Sequence, residues 1–153
     1  MFEDRMKTSA IPERVYALCQ AVKSRSMQES DLRELLEPSD LGGATKYFGT
    51  VRDAARQLGL ISVKEGEISL AVESKQIASY DAMREYIVSN IAAIKDGLFF
   101  KVSKVYLSMN EQVFKYKAVS EAALVEHMSK TIGVPVYEDD MRAWRFWASY
   151  LGL

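Results

Sequence analysis

The sequence predicts a mostly α chain with a small β-hairpin, organised as two tandem units of related design. Three observations carry this. Apolar residues at helical spacing recur along most of the chain. Two alternating runs, Leu60–Lys64 and Glu67–Ala71, flank Glu65-Gly66. A weak internal repeat brings Arg56-Gln57-Leu58-Gly59-Leu60 back as Ser149-Tyr150-Leu151-Gly152-Leu153. Upstream, Ser30–Leu35 has a counterpart in Ala122–His127, and Arg14–Leu18 in Lys104–Ser108. The offsets drift slightly, which small changes in loop length explain. Two copies are too few for a solenoid, so the pattern reads as two small domains in tandem. A hairpin follows Leu60 in the first copy and nothing follows Leu153 in the second. The expectation is a chain that is the N-terminal part of something longer, or one that has lost its last hairpin.

Residues 1–10 read as an N-terminal arm, and residues 11–72 as the first unit. Pro12 suits the first turn of a helix, with Ser9 as its cap. Val15, Leu18, Cys19 and Val22 then share one face. Ser26-x-x-Glu29 matches a capping box ahead of Leu32, Leu35 and Leu36, and Pro38 closes that second helix. Gly42-Gly43 lies in a loop. A third helix is predicted over Thr45–Leu58, with Phe48, Val51, Ala55 and Leu58 inward and Gly59 as terminator. The hairpin follows, with Glu65-Gly66 as a tight turn.

Residues 73–97 read as a connecting helix, capped by Ser79, with Met83, Ile87, Ile91 and Ile94 on one face and Asp96-Gly97 as the break. Residues 98–153 form the second, truncated three-helix unit. Its first helix carries Val102, Val105, Tyr106, Met109 and Val113. Its second is capped by Ser120 and turns Leu124, Val125 and Met128 inward. Its last is capped by Asp139 or Asp140 and buries Met141, Trp144, Ala148 and Leu151. Those four align with Phe48, Val51, Ala55 and Leu58 at one constant offset, which supports the repeat.

Composition narrows the function. The chain has 153 residues, an apolar share of 48% and a net charge of −1, so it lacks a global basic field. Cys19 is the only cysteine, which excludes an internal disulfide and suits a reducing compartment. No apolar run follows the charged N-terminus, and none reaches membrane-spanning length. A cytoplasmic protein without a membrane partner is expected. No phosphate loop, dinucleotide fingerprint or nucleophile elbow occurs. His127 is the only histidine, too few ligands for a zinc site. Cys19 sits on an apolar stripe and reads as a buried small hydrophobe. Glu138, Asp139 and Asp140 read as acids matched to a helix dipole. The expectation is a non-enzyme with no cofactor, metal or small-molecule substrate.

The third helix carries the polar pattern of interest. With its apolar face inward, about 100° per residue places Lys46, Thr50, Asp53 and Gln57 outward, with Gly49 and Arg56 at the edges. Lys46 and Arg56 suit phosphates or guanine, and Thr50 and Gln57 suit base edges. Lys64 on the hairpin suits backbone. Lys46, Arg52, Arg56 and Lys64 outnumber Asp53 and Glu65 in this stretch, a modest footprint that implies weak, salt-sensitive binding. The same pattern also fits a solvated face on a protein-binding domain. In the second unit, Trp144, Phe146, Trp147 and Tyr150 are expected to form an aromatic face. Its covering is the connecting helix, missing residues or, by preference, a second copy across a two-fold axis.

The helix–helix–helix–hairpin order and the Leu-Gly-Leu ending of each third helix resemble the winged helix-turn-helix superfamily, as tandem units of which the second lacks its wing. The resemblance covers Ile11–Val72 well and Leu98–Leu153 less well. It implies a fold more than a function. In addition, Ile11-Pro12-Glu13-Arg14-Val15, Leu35-Leu36-Glu37-Pro38 and the stretch from Trp144 to Leu153 look similar to DpdG-like proteins of bacterial islands for DNA deazapurine modification and restriction. That resemblance implies a DNA-modification or phage-defence setting, with a DNA-binding or assembly role and double-stranded DNA as partner. Tandem winged helices also serve as protein adaptors in chromosome-segregation complexes, which is the competing implication.

Overall fold

A computed structural model describes residues 5–39, 47–112, 115 and 120–153. The chain is mostly helical with one small three-stranded antiparallel sheet. It divides into two compact units, one over Ser9–Ala93 and one over Ile94–Leu153 together with the segment ending at Thr8.

In the first unit, α1 (Pro12–Ala21) buries Pro12, Val15, Leu18 and Cys19. The proline occupies the first turn, where its missing N–H is no loss. Ile11 is the N-cap, and the Ser9 hydroxyl instead meets the Thr50 hydroxyl at 2.8 Å, so the expected Ser9 cap does not form. The short β1 (Met27–Gln28) comes next and leads directly into α2 (Glu29–Leu36). The expected capping box at Ser26-x-x-Glu29 is also absent. Met27 and Gln28 pair with Ile68 and Glu67 of a later strand, so the helix cannot start before Glu29. Ser26 Oγ donates to the Glu67 carboxylate. On α2, Leu32 is buried and Leu35 points to solvent, because the helix packs on α1 and β1 along one narrow side.

The third helix, α3 (Phe48–Gln57), packs on α1 and buries Phe48, Val51, Ala54 and Ala55, with Leu58 just beyond. It ends where Gly59 takes φ 70°, a left-handed position that suits glycine. The Gly59 N–H reaches Arg56 O at 3.0 Å and the Leu60 N–H reaches Ala55 O at 3.0 Å, a Schellman closure. Strands β2 (Ile61–Lys64) and β3 (Glu67–Leu70) follow, joined by Glu65 and Gly66 at φ 51° and 81°, as a two-residue hairpin requires. The sheet order is β1-β3-β2, with Val63 opposite Ile68 and Lys64 opposite Glu67.

The segment read as a connector contributes to the first unit. A turn of 3-10 helix over Ser74–Ile77 buries Ile77, whose carbonyl accepts from Gln20 Nε2 at 2.6 Å. Helix α4 (Tyr80–Ser89) is capped by Ser79 Oγ at 3.0 Å from Ala82 N, and it buries Met83 and Ile87. The Tyr80 ring meets Tyr16 of α1 edge-on at 5.6 Å. This helix stops at Ser89, earlier than Asp96-Gly97. Asn90 turns back, with its amide side chain donating to Tyr86 O at 2.8 Å, and Ile91–Ile94 continues as a separate 3-10 turn.

The second unit holds α5 (Leu98–Met109), α6 (Glu121–Ile132) and α7 (Glu138–Leu151). Val102 and Met109 are buried on α5, with Val105 and Tyr106 half-buried; Val113 lies outside the described residues. Ser120 Oγ caps α6 at 3.1 Å from Ala123 N, and Leu124 and Met128 face inward. The N-cap of α7 is Tyr137, so neither Asp139 nor Asp140 caps it in the expected way. Met141, Trp144, Ala148 and Leu151 are buried as expected. The C-terminus of α7 repeats the closure of α3: Gly152 sits at φ 80° and Leu153 N–H reaches Ala148 O at 2.9 Å. The recurring Leu-Gly-Leu is one helix-ending device used twice.

Because Phe48 and Leu58 are closely packed, Phe48→Ala is expected to cost about 3–5 kcal/mol and Leu58→Ala about 2–4 kcal/mol. Urea denaturation of the two variants against the parent measures both.

Candidate nucleic-acid interface

The outward side of α3 and the adjoining hairpin hold the polar side chains singled out from the sequence. Lys46 lies outside the described residues. Thr50 is half-buried, and its hydroxyl donates to Tyr47 O at 2.8 Å while meeting Ser9. Arg52 is held on two sides. Its Nη1 lies 2.7 Å from Glu29 of α2, while Nε and Nη2 reach Asp53 Oδ1 at 3.0 and 2.8 Å. Partial burial pulls against this guanidinium's charge, but the two carboxylates outweigh it and raise its pKa. Arg52 is therefore a clamp between α2 and α3, and two acids answer its single charge.

Arg56 is exposed and has no ion-pair partner among the described residues. Gln57, one residue on, is half-buried and engaged in contacts of its own. Lys64 is exposed at the end of β2, directly across from Glu67. Of the described cations singled out from the sequence, the structure thus leaves Arg56 and Lys64 exposed, with Glu65 and Glu67 close to the second.

Two partners escaped the sequence pattern. Glu29 reaches Arg52 only because β1 pairing sets where α2 starts. Arg14 stacks over the Tyr47 ring at 4.2 Å and donates to Ser9 O at 2.9 Å, placing a cation–aromatic pair at the start of α3. Neither pairing leaves a local signal, since each joins residues far apart in the chain.

The aromatic residues of α7 divide. Trp144 and Trp147 are buried. The Trp144 indole N–H donates to Ser103 Oγ at 2.9 Å, and its ring lies 4.4 Å from Tyr106. Trp147 meets Tyr150 edge-on at 6.0 Å, and Tyr150 is half-buried. Of the four, Phe146 alone is largely exposed, at 45%. Residues 143, 144, 147 and 148 fall on the inward face by helical spacing, and 146 falls opposite. The broad aromatic face expected from the sequence is reduced to one protruding ring.

Other chemistry-bearing groups are structural in their surroundings. Cys19 is buried, and burial pushes its thiol up to about 12. His127 is half-buried beside Thr131 Oγ1 at 3.5 Å. Among the described residues no group of three or more histidine, cysteine or acidic side chains is placed to hold a metal ion. No described helix is long and apolar enough to cross a membrane. A shallow open groove of about 270 Å³ runs along α4, lined by Lys75, Gln76, Tyr86 and Asn90 among others. No protein-family model, curated protein or solved structure matches this chain.

The Cys19 thiol carries a pH prediction. Its folded pKa exceeds the ordinary value, so the unfolded chain loses the proton first as pH rises. The stabilisation is full below the ordinary thiol pKa and is lost toward about 12. Parent stability is expected to fall more steeply than that of Cys19→Ala across this alkaline window, by about 1.4 kcal/mol per pH unit. Parallel urea titrations of the two proteins check it.

Proposed function

We propose that the chain is a non-catalytic module for binding DNA or assembling a DNA complex, built from tandem winged helix-turn-helix units of which the second lacks its wing. The observation that carries the reading is the order α1-β1-α2-α3-β2-β3 with sheet order β1-β3-β2. In that arrangement α3 takes the place of the helix that enters the major groove, and the β2–β3 hairpin is the wing. Arg56 and Gln57 are then the readers on α3 with Thr50 at its start, and Lys64 touches backbone from the wing; Lys46, outside the described residues, is the remaining candidate from the sequence. Few phosphates are neutralised, so binding is weak, is confined to low salt, and weakens with a shallow salt slope. The likeness to DpdG-like proteins gives this role its setting, a prokaryotic DNA-modification or phage-defence system in the cytoplasm.

A protein adaptor that does not touch DNA is the second reading. What favours it is the engagement of Arg52 by Glu29 and Asp53, together with the acidic pair Glu65 and Glu67 on the wing. The second unit would then supply a protein or homodimer contact through Phe146.

A duplex titration at low and moderate salt separates the two. The wild-type chain is expected to bind at low salt and to weaken by about one power of salt concentration for each phosphate engaged. Arg56→Glu with Lys64→Glu is expected to abolish binding and leave the circular dichroism spectrum intact. Glu29→Gln, which loosens Arg52, is expected to strengthen binding. Wild-type protein that shows no salt-dependent binding at high concentration leaves the adaptor as the function.

A further inference from the structure

The second unit is built from two pieces of chain that are far apart in sequence, and the smaller piece is held as a ligand would be. Asp140, in the first turn of α7, is only 3% exposed. Its carboxylate accepts three hydrogen bonds: Arg5 Nη1 at 2.7 Å, the Met6 backbone N–H at 2.9 Å and the Tyr137 N–H at 3.1 Å. Only the last comes from its own helix. Arg5 Nη1 also donates to Pro135 O at 3.3 Å, and the guanidinium lies 3.9 Å over the Tyr137 ring. Met6 follows with 2% of its surface exposed. The recognised features are a cation placed between a carboxylate and an aromatic ring, a backbone N–H and one buried apolar side chain. On the side of the occupant, all belong to two adjacent residues.

We propose that the loop before α7 and its first turn form a peptide-binding site for an arginine followed by an apolar residue, occupied in cis by this chain's own Arg5-Met6. Three features separate this from ordinary core packing. The occupant is a short segment joined to the rest of its unit only through the whole first unit. Its two shortest hydrogen bonds end on one side chain, so that carboxylate dominates docking. A short segment held by so few groups opens locally at a smaller free energy than the helices beneath it. When it opens, Asp140 keeps a single N–H donor from its own end of the helix and is left a carboxylate without its cation, which a second segment of the same chemistry supplies. The site is then available in trans only in proportion to the time the cis segment spends away. This inference is independent of whether the first unit binds DNA.

The test uses the full chain and a fluorescein-labelled peptide of residues 3–9. Arg5→Ser with Met6→Ser empties the site in cis. This variant is expected to bind the peptide at least about tenfold more tightly than wild type, whose site is filled. Adding Asp140→Asn to it is expected to remove that binding, as is Arg5→Ser in the peptide alone. Equal binding by wild type and emptied protein, or binding indifferent to Asp140, overturns the proposal. Because the emptied variant can fail to fold, amide hydrogen exchange on the wild-type chain supplies a second decision. The Met6 N–H is expected to exchange at least about a hundredfold faster, relative to its unstructured rate, than the amides of Trp144 and Trp147. Exchange of Met6 only together with those helix amides makes the segment integral core and also overturns the site.

Discussion

The first unit depends on the burial of one face of α3 against α1. Ala54 and Ala55 have no exposed surface, and such small side chains let a neighbouring backbone come close, while Phe48 and Val51 fill the rest of the seam. That burial fixes which side of α3 faces outward. The Gly59 closure then releases the chain into β2, and β3 returns antiparallel beside it. β3 offers its other edge to Met27 and Gln28, and their pairing sets the first residue of α2. Glu29 is thereby delivered to Arg52. A hydrophobic seam thus determines, several steps away, which cation on α3 is engaged within the domain and which stay exposed.

Electrostatics on this surface follow from that geometry more than from composition. The sequence shows a local excess of basic residues around α3, yet a charge held between two carboxylates contributes little to an external field. Arg52 therefore acts inside the domain, joining α2 to α3, whereas Arg56 one turn later is exposed. The same logic applies at the hairpin, where Lys64 has Glu67 across the ladder. This surface presents fewer unengaged cations than a residue count suggests.

In the second unit the organising residues are Trp144 and Asp140 on α7. Trp144 is buried with its indole N–H satisfied by Ser103, so a large apolar side chain is packed without an orphaned donor. Asp140 is buried four residues earlier, where a carboxylate needs donors, and the N-terminal segment brings two of them. One helix thereby draws in both α5 and a segment from the opposite end of the chain.

The sequence by itself determined the local elements whose signals are local. Pro12 began α1, Ser79 and Ser120 capped their helices, Glu65-Gly66 turned the hairpin, and Leu-Gly-Leu ended two helices, because each effect acts within a few residues of its cause. Helical spacing also identified the buried faces of α3 and α7. Tertiary structure alone decided the two-residue strand β1, too short to carry a period, and with it the failure of the Ser26 capping box. It decided that Leu35 is exposed, that Trp147 is buried, and that Arg52 is engaged. It also seated Arg5 on Asp140. Each of these depends on which distant segment arrives alongside, and a pattern read over one or two helical turns contains no information about the other partner.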